Sequence, residues 1–292
     1  MSLQQLGSTM RVFQPAANVI AFYDGRIEGM RLHSDKPNWL DDGAFSLGVC
    51  TYALVDGDQA LVYDTHISLQ HARIIRRTLT EAGIRRIQVV LSHWHVDHVA
   101  GNEVFDDCEI IAHTLTAEAM QAHRRQLEEG DPPIRPLVMP TRTYQNGLEL
   151  TVGSLCVELR HVDIHSLDGT VLFLPDRGLL FAGDALEDTV TYVVEADRLA
   201  IHLRGLERME AWPIRRILPN HGALDVIERG GYGPELTTAT RNYVAKLLRC
   251  KGEPALAKQD LRSFVRTDLD RGAISYFAAY EPVHRRNVDA VT

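Results

Sequence analysis

Residues 93–98 read His-Trp-His-Val-Asp-His and place three imidazoles and one carboxylate within six positions. His93 and His95 are two residues apart, so on an extended segment both rings point to the same side and can reach one ion. Asp97 and His98 follow directly and can reach a second ion if the chain bends there. Neutral imidazole and carboxylate are donors that zinc and similar divalent ions accept in proteins. The run therefore predicts a metal site.

The alternative for this run is an exposed histidine-rich loop without a role. The preceding residues 87–91 are apolar and have strand character, so the run would follow the end of a buried strand. A strand end is a rigid place to hold ligands. Four such groups buried without a metal would each need other polar partners. These features favour the metal site.

The run resembles the His-x-His-x-Asp-His signature of the metallo-β-lactamase superfamily, and matching elements continue in the family's order over residues 47–222. His165, followed by Ser166, matches the next family histidine, although Ile164 stands where the family usually has glycine. Asp184 at the end of Phe-Ala-Gly-Asp matches the family's later aspartate, and His221 in Asn-His-Gly matches its last histidine.

His161 is the alternative to His165 at the third position, because it lies only four residues earlier. It falls within the predicted strand at residues 155–162, whereas His165 has the turn context and the downstream spacing of the family motif. The sequence favours His165 and keeps His161 as the alternative.

The resemblance implies two divalent metal ions held by a complete set of ligands, with zinc expected and manganese or iron as alternatives. The first metal would be held by His93, His95 and His165, the second by Asp97, His98 and His221, and Asp184 would bridge both. Asp97 is also expected to act catalytically, by orienting the nucleophile and passing a proton to the leaving group. Asp64, which closes an early strand, is expected to fix the metal loop by hydrogen bonds.

The implied reaction is hydrolysis of a small ester, thioester or lactone by a hydroxide held between the two metals. Asp184 favours the thioesterase and lactonase branches, because the zinc β-lactamases most often studied carry Cys at that place or lack a bridging carboxylate. Three alternatives stay open: a true β-lactamase, a mononuclear iron dioxygenase of the persulfide dioxygenase type, and a binding protein without turnover.

Composition limits the partners. The 292 residues are 45% hydrophobic, enough for a large core, and the formal net charge of −8 argues against a broad nucleic-acid-binding surface. The four cysteines form no Cys-x-x-Cys pair, residues 1–14 lack a sustained apolar stretch, and no apolar run approaches the ~20 residues of a membrane helix. We expect a cytoplasmic enzyme with a small-molecule substrate, no nucleic acid and no membrane partner; a homo-oligomer is left open.

The periodicity predicts strands, a helix and another strand in each half, the α/β (α+β layered) pattern of the four-layer αβ/βα metallo-β-lactamase sandwich that the resemblance implies. Residues 1–229 would form that domain, with a short helix expected at residues 99–105. Residues 230–292 would form a C-terminal helical extension packed on it, with helices expected at residues 235–250, 254–269 and 272–291. Glu187 and Asp188 either face the cleft and favour a cationic substrate, or are exposed acids. Trp94 is expected to have a packing role. His284 is expected to lie at the surface or to form structural hydrogen bonds.

Overall fold

The computed structural model describes residues 2–25, 30–41 and 47–292, and a seven-stranded sheet forms most of the first half. In spatial order its strands are β2 (Arg11–Ala16), β3 (Val19–Asp24), β5 (Val49–Asp56), β6 (Gln59–Tyr63), β7 (Arg86–Val90), β8 (Glu109–His113) and β9 (Arg142–Tyr144). Neighbours from β2 to β6 pair antiparallel, and those from β6 to β9 pair parallel. A separate parallel pair joins β1 (Ser2–Gln4) to β4 (Met30–Leu32).

The second half forms a five-stranded sheet. Its strands, in both chain and spatial order, are β10 (Gly147–Val152), β11 (Leu155–His161), β12 (Thr170–Leu174), β13 (Leu179–Gly183) and β14 (Arg216–Pro219). The first four pair antiparallel, and β14 lies parallel to β13. Each sheet therefore contains one group of parallel strands. Within each group the strands end at the same edge of the sheet, where the residues that follow them lie.

Helices lie between the strands in the chain, and a further group of helices follows the last strand toward the C-terminus. They are α1 (Leu69–Glu81), α2 (Val96–Val99), α3 (Thr114–Ala122), α4 (Arg124–Glu128), α5 (Leu199–Met209), α6 (Leu224–Glu228), α7 (Glu235–Cys250), α8 (Pro254–Ala257), α9 (Leu261–Phe264), α10 (Arg266–Asp270) and α11 (Glu281–Val291). Single 3₁₀ turns occur at Trp39–Asp41, Asn102–Phe105, Ala196–Arg198 and Ala278–Tyr280. Ser68 caps α1, because its hydroxyl oxygen accepts from the His71 N–H at 3.3 Å.

The first sheet is buried on both faces, and the alternation along β3 shows how. Ala21 and Tyr23 join the core between the two sheets, whereas Ile20 and Phe22 join the core beneath α1. Successive side chains of a strand point to opposite faces, so both faces of this sheet are covered. On the far side of the molecule, apolar residues of α5 and α7 join the core of the second sheet. The order of layers is helix, sheet, sheet, helix, which confirms the predicted sandwich.

The C-terminal segment packs against the second half. Leu236 and Leu247 of α7, Phe264 and Val288 are buried in the same core as the strands of the second sheet. Asn287 of α11 reaches the loop after β13, where its side-chain oxygen accepts from the Val193 N–H at 2.9 Å. The boundary predicted at residues 229 and 230 stays a prediction.

Several element boundaries differ from the sequence expectation. The short helix expected at residues 99–105 is replaced by α2 followed by a 3₁₀ turn, and the helix expected at residues 254–269 is divided into α8, α9 and α10. Residues 272–277 are not helical, so the last helix begins only at Glu281. Within the part of the chain that is described, no helix combines the length and apolar character needed to cross a bilayer.

Candidate metal centre

Strand ends of both sheets deliver the predicted ligands to one edge of the sandwich. His93 and His95 follow β7, and α2 then turns the chain so that Asp97 and His98 face back toward the strand end. Asp184 directly follows β13, and His221 follows β14 after one residue. The parallel neighbours β6 and β7 end at the same edge of the first sheet, and the parallel neighbours β13 and β14 end at the same edge of the second. The residues that follow these strands therefore lie together.

His93, His95 and His165 form the first group. His93 Nε2 lies 2.8 Å from His95 Nδ1, and His165 Nε2 lies 3.2 Å from the same His95 atom. Each residue offers a ligand atom within 4.8 Å of the other two. The structure thus brings together the three histidines that the sequence assigned to the first metal.

Asp97, His98, Asp184 and His221 form the second group, and all four are buried. Asp97 Oδ2 lies 3.1 Å from His221 Nε2 and 3.2 Å from His98 Nε2. Asp184 Oδ2 lies 3.1 Å from His98 Nε2 and 3.5 Å from His221 Nε2. This group matches the residues that the sequence assigned to the second metal together with the bridging aspartate.

Asp184 also connects the two groups. Its Oδ2 atom lies 3.7 Å from His93 Nε2 and 3.8 Å from His165 Nε2, as well as close to both histidines of the second group. One carboxylate oxygen is therefore surrounded by four histidine nitrogens. Such a central position is what a bridging ligand requires.

The outer ring nitrogens of three of these histidines are held by the fold. His165 Nδ1 lies 3.0 Å from the Tyr192 carbonyl, His221 Nδ1 lies 3.1 Å from the Gly48 carbonyl, and His98 Nδ1 lies 2.8 Å from Asp64 Oδ2. A carbonyl can only accept, so Nδ1 of His165 and of His221 carries the hydrogen. In the neutral rings the inner nitrogen then carries a lone pair that faces the cluster.

Asp64 has the supporting role that the sequence predicted. Its carboxylate accepts from the Ser92 N–H at 2.6 Å and from Asn220 Nδ2 at 2.7 Å, and it also pairs with His98. The sequence reasoning missed Ser92 and Asn220. Ser92 Oγ lies 2.9 Å from His93 Nδ1, and both residues directly precede a predicted ligand at a strand end, which was the available signal.

Burial and neighbouring charges set the protonation tendencies. Burial lowers the pKa of His95 to about 3, and burial likewise holds the pKa of His93 well below its usual value. For His98 and His221, burial favours the neutral ring, but the carboxylates of Asp184 and Asp97 outweigh it and raise the pKa. His93 and His95 therefore present neutral rings, whereas the carboxylates beside His98 and His221 stabilise positive charge on those rings.

The donor set fits two divalent ions. His221 Nε2 lies 3.1 Å and 3.5 Å from carboxylate oxygens of Asp97 and Asp184, a position in which either a proton on the ring or a bound cation offsets the negative charge. Among the described residues, Asp184 Oδ1 is buried without a hydrogen-bond partner. Imidazole and carboxylate are suitable ligands for zinc, manganese or iron. The arrangement can hold two ions with a shared carboxylate.

His161 and His284 lie outside the cluster. His161 Nε2 lies 2.7 Å from the Leu167 carbonyl, and its ring stacks on His113. His284 is buried, with Nδ1 3.0 Å from the Tyr243 hydroxyl and Nε2 3.2 Å from the Gln259 carbonyl. His284 therefore has the hydrogen-bonding role expected for it, and the structure favours His165 over His161.

Glu187 and Asp188 are both buried, so the expectation of exposed acids is wrong. Glu187 Oε1 accepts from the Tyr192 N–H at 3.1 Å and lies 3.5 Å from His165 Nδ1. Burial and the charge of Asp184 raise the pKa of Glu187 to about 8. Asp188 accepts from the Tyr232 hydroxyl and the Ser275 N–H, both at 2.8 Å, and thus joins the loop after β13 to the C-terminal segment.

A cavity of about 320 Å³ opens above the cluster. Ligand residues form its floor, together with Glu187, and its walls come mainly from apolar and aromatic side chains. These wall residues are Trp39, Trp94, Val96, Gln126, Tyr192 and Val194. Trp94 also stacks on His123, so it packs, as expected, while one part of it lines the cavity.

Comparison with known proteins identifies the family. The model of the "Metallo-beta-lactamase superfamily" matches residues 46–255, which is more than half of the chain. "Lactamase-like protein ptaB" of Pestalotiopsis fici is 27% identical over 226 residues, which cover 73% of this chain and 66% of that protein. "Atrochrysone carboxyl ACP thioesterase AacuM" of Aspergillus aculeatus is 28% identical over 184 residues, 62% of this chain and 53% of that protein.

A third relative is the "Beta-lactamase-like protein 2 homolog" of Caenorhabditis elegans, 26% identical over 188 residues, 62% of this chain and 58% of that protein. The chain thus spans about half to two thirds of the length of these curated relatives. Among solved structures, the DIM-1 metallo-beta-lactamase is similar with a TM-score of 0.56 and 16% identity, covering 78% of this chain and 97% of that one. A metallo-beta-lactamase from Pontibacter korlensis has a TM-score of 0.57 and 14% identity, covering 78% and 99%. At these identities the likeness shows the fold.

Proposed function

The chain belongs to the metallo-beta-lactamase superfamily, and we propose that it is a hydrolase with two metal ions that cleaves thioesters. The observation that carries the proposal is the convergence of seven buried or half-buried candidate ligand side chains, with Asp184 at their centre, at the floor of an apolar cavity. A floor of metal ligands and a wall of apolar side chains suit a substrate with a reactive carbonyl and an apolar acyl group.

Thioesters are favoured over β-lactams by two observations. Several curated relatives are named as ACP thioesterases, among them AacuM of Aspergillus aculeatus and AgnL7 of Paecilomyces divaricatus. Asp184 supplies the bridging carboxylate that the resemblance associates with thioesterases and lactonases. The likeness to solved β-lactamases concerns the fold and does not extend to their substrates. Esters and lactones share the same carbonyl chemistry and belong in the same substrate panel.

In the proposed centre, His93, His95 and His165 would hold the first ion, Asp97, His98 and His221 would hold the second, and Asp184 would be shared by both. When bound, such ions acidify water and stabilise the negative charge that develops on a carbonyl oxygen during hydrolysis.

The chain's own residues orient the reaction. The carbonyls of Tyr192 and Gly48 and the carboxylate of Asp64 hold the ligand rings in one tautomer and one orientation. Trp39 and Trp94 place apolar surface beside the floor of the cavity and exclude water from the acyl side of the substrate. Asp97 lines the same cavity, and we assign to it the transfer of a proton to the leaving thiolate.

The proposal is tested by metal analysis and a substrate panel on one preparation. We expect about two zinc, manganese or iron ions per chain and hydrolysis of acyl thioesters. Treatment with a chelator should abolish hydrolysis, and added zinc or manganese should restore it. Asp184→Ala should lose both ions and hydrolysis together, because it removes the ligand that both ions share. His165→Ala should lose one ion.

His161→Ala is the matched control, because it removes a histidine four residues away whose ring lies outside the cluster. It should retain two ions and hydrolysis. If His161→Ala lost metal and His165→Ala kept it, the assignment of ligands would be wrong. A preparation that carried one redox-active iron and consumed oxygen would overturn the hydrolase proposal in favour of a dioxygenase.

A further inference from the structure

We propose that Asp168 is a positioning residue that sets His165 at the correct distance from His93 and His95, and so controls the affinity of the first ion. This inference rests on the proposed function. The sequence motif of the metal site does not include Asp168, and Asp168 is not part of either ligand group. Its effect would therefore pass through the backbone segments that carry the three histidines.

The carboxylate of Asp168 connects the two segments directly. Oδ2 accepts from the Trp94 N–H at 2.9 Å, and Trp94 lies between His93 and His95 in the chain. Oδ1 accepts from the Ser166 hydroxyl, and Ser166 follows His165. The side chain is 2% exposed, so water competes little for these bonds. One carboxylate thus joins the loop after β7 to the turn that carries the third histidine.

The backbone around Asp168 is itself held in place. Its carbonyl accepts from the Thr116 hydroxyl of α3 at 3.3 Å. Two residues later, the Thr170 N–H donates to the Ser92 carbonyl at 2.7 Å, and the Tyr63 hydroxyl donates to the Thr170 carbonyl at 2.5 Å. The backbone of Asp168 is therefore held in a fixed position between the two sheets. Its side chain can then determine the position of the turn at residues 164–166.

The turn that Asp168 holds has a strained backbone. His165 has a φ of 65°, in the left-handed region that β-carbon-bearing residues seldom occupy. The Ser166 N–H donates to the Ile164 carbonyl at 2.8 Å, so the turn is tight. Such a conformation persists only when its surroundings determine it. Loss of the Asp168–Ser166 bond would let the turn relax and move the His165 ring away from His95.

The second ion depends on different anchors. His98 is held by Asp64, and His221 is held by the Gly48 carbonyl, while Asn220 beside it also bonds to Asp64. Among the described residues, Asp168 makes its hydrogen bonds with Trp94, Ser166 and Thr116 and not with these groups. The proposal therefore predicts a selective effect, in which the first ion is weakened and the second is retained.

Asp56 provides a matched control at the opposite end of the strands. Its Oδ2 accepts from both the N–H and the hydroxyl of Ser154, each at 2.7 Å, and it thereby joins the first sheet to the hairpin between β10 and β11. Like Asp168, it is a carboxylate that connects the two halves of the sandwich. Unlike Asp168, it lies far from the ligand-bearing ends of the strands.

The experiment measures binding of cobalt(II), a spectroscopic substitute for zinc, to metal-free protein by visible absorption and by competition with a chelator. For Asp168→Ala we expect the affinity of one ion to fall about 10- to 100-fold, the range seen when partners of metal ligands are removed. The affinity of the other ion should stay within about threefold. The spectrum of the remaining ion should match that of His93→Ala, which lacks a ligand of the first ion.

Three further variants complete the test. Asp168→Asn should restore binding to within about threefold, because its amide oxygen can accept from Trp94 and its amide nitrogen can donate to Ser166. Ser166→Ala should weaken the same ion as Asp168→Ala, by a smaller factor. Asp56→Ala should bind both ions like the wild-type protein.

The outcomes separate the two proposals. If the wild-type protein binds no divalent ion, the proposed function fails and this inference fails with it. If the wild-type protein binds two ions and Asp168→Ala does too, at unchanged affinity, only the inference is overturned. If Asp168→Ala does not fold, Ser166→Ala decides: weakening of the first ion alone supports the role of Asp168, and an equal effect on both ions, or none, overturns it.

Discussion

Replacement of Asp64 with alanine should destabilise the metal-free protein by about 3–5 kcal/mol. The Asp64 side chain is fully buried, and its two oxygens are bonded to three donors. Oδ1 accepts from the Ser92 N–H at 2.6 Å, while Oδ2 accepts from Asn220 Nδ2 at 2.7 Å and from His98 Nδ1 at 2.8 Å. Ser92 and His98 belong to the first half of the chain and Asn220 to the second, so one carboxylate connects the two sheets.

The magnitude follows from these contacts. A buried donor left without an acceptor costs about 1–3 kcal/mol. Three such donors would therefore lower the free energy of unfolding by about 3–9 kcal/mol. Removal of one partner from a buried charged pair costs about 3–5 kcal/mol, and we adopt this range because the three bonds share one acceptor group. Asp64 also has a φ of 68°, where aspartate is better tolerated than alanine. Asp64→Asn keeps one acceptor oxygen and the backbone tolerance, so it should cost about 1–3 kcal/mol, the penalty of one mismatched donor.

Urea unfolding followed by circular dichroism in the presence of a chelator measures this loss without a contribution from metal binding. Asp58→Ala is the surface control, since Asp58 pairs with Arg85 and Arg86 near solvent, and it should leave the urea midpoint close to that of the wild-type protein. A destabilisation below about 1 kcal/mol for Asp64→Ala, with an unchanged dependence on urea, would refute the view that Asp64 holds the two halves together.

Three further predictions concern packing, thiol reactivity and the cavity. Gly101→Ala should cost about 3 kcal/mol and lower the thermal midpoint, because its Cβ would lie 2.2 Å from the Thr65 carbonyl oxygen. Burial raises the pKa of Cys50 to about 12, so at pH 8 a thiol reagent should modify the exposed Cys156 and leave Cys50 unmodified until the protein unfolds, as mass spectrometry of labelled peptides would show. Trp39→Ala should raise KM for thioesters about tenfold, or about 1.4 kcal/mol, with metal content unchanged, because Trp39 forms a wall of the cavity and no part of the floor.

The clustered histidine and aspartate residues were predictable because their chemistry is uncommon at strand ends. His93, His95 and Asp97 stand out directly after an apolar strand, and their spacing matches a family signature. His165 was separated from His161 by its place in a turn rather than in a strand, and the structure places His161 in β11. Local sequence therefore sufficed wherever residue type, strand end and spacing agreed.

The burial of Asp188 was not predictable in the same way, because its partners lie far away in the sequence. Asp188 bonds to the Tyr232 hydroxyl and the Ser275 N–H, residues separated from it by 44 and 87 positions. Two neighbouring acids after a strand ordinarily indicate a solvated loop. The packing of the C-terminal segment against this loop removes Asp188 from water.

The helical tail shows a related limit. The amphipathic pattern of residues 235–250 predicted α7 with its observed bounds, since one long helix has one apolar face. Residues 254–270 have helix-forming composition, but the chain there is divided, and Asp260 caps α9 by accepting from the Ser263 N–H at 2.7 Å. A cap within a run of helix formers marks a new helix, and that local signal was available.

Backbone conformation at the candidate metal centre shows why the fold is needed to maintain the site. Asp64, His66 and His165 all have φ values between 65° and 70°, and Gly183, directly before Asp184, has a φ of 56°. Apart from the glycine, each such conformation costs about 1–3 kcal/mol and persists only when its surroundings determine it. These residues all lie near strand ends, where a sharp change of direction turns a side chain back toward the cluster. The stability of the two-sheet core, rather than local preference, therefore holds the clustered side chains in position. We expect small changes at Asp64 or Asp168 to have larger effects on metal binding than changes of similar size elsewhere.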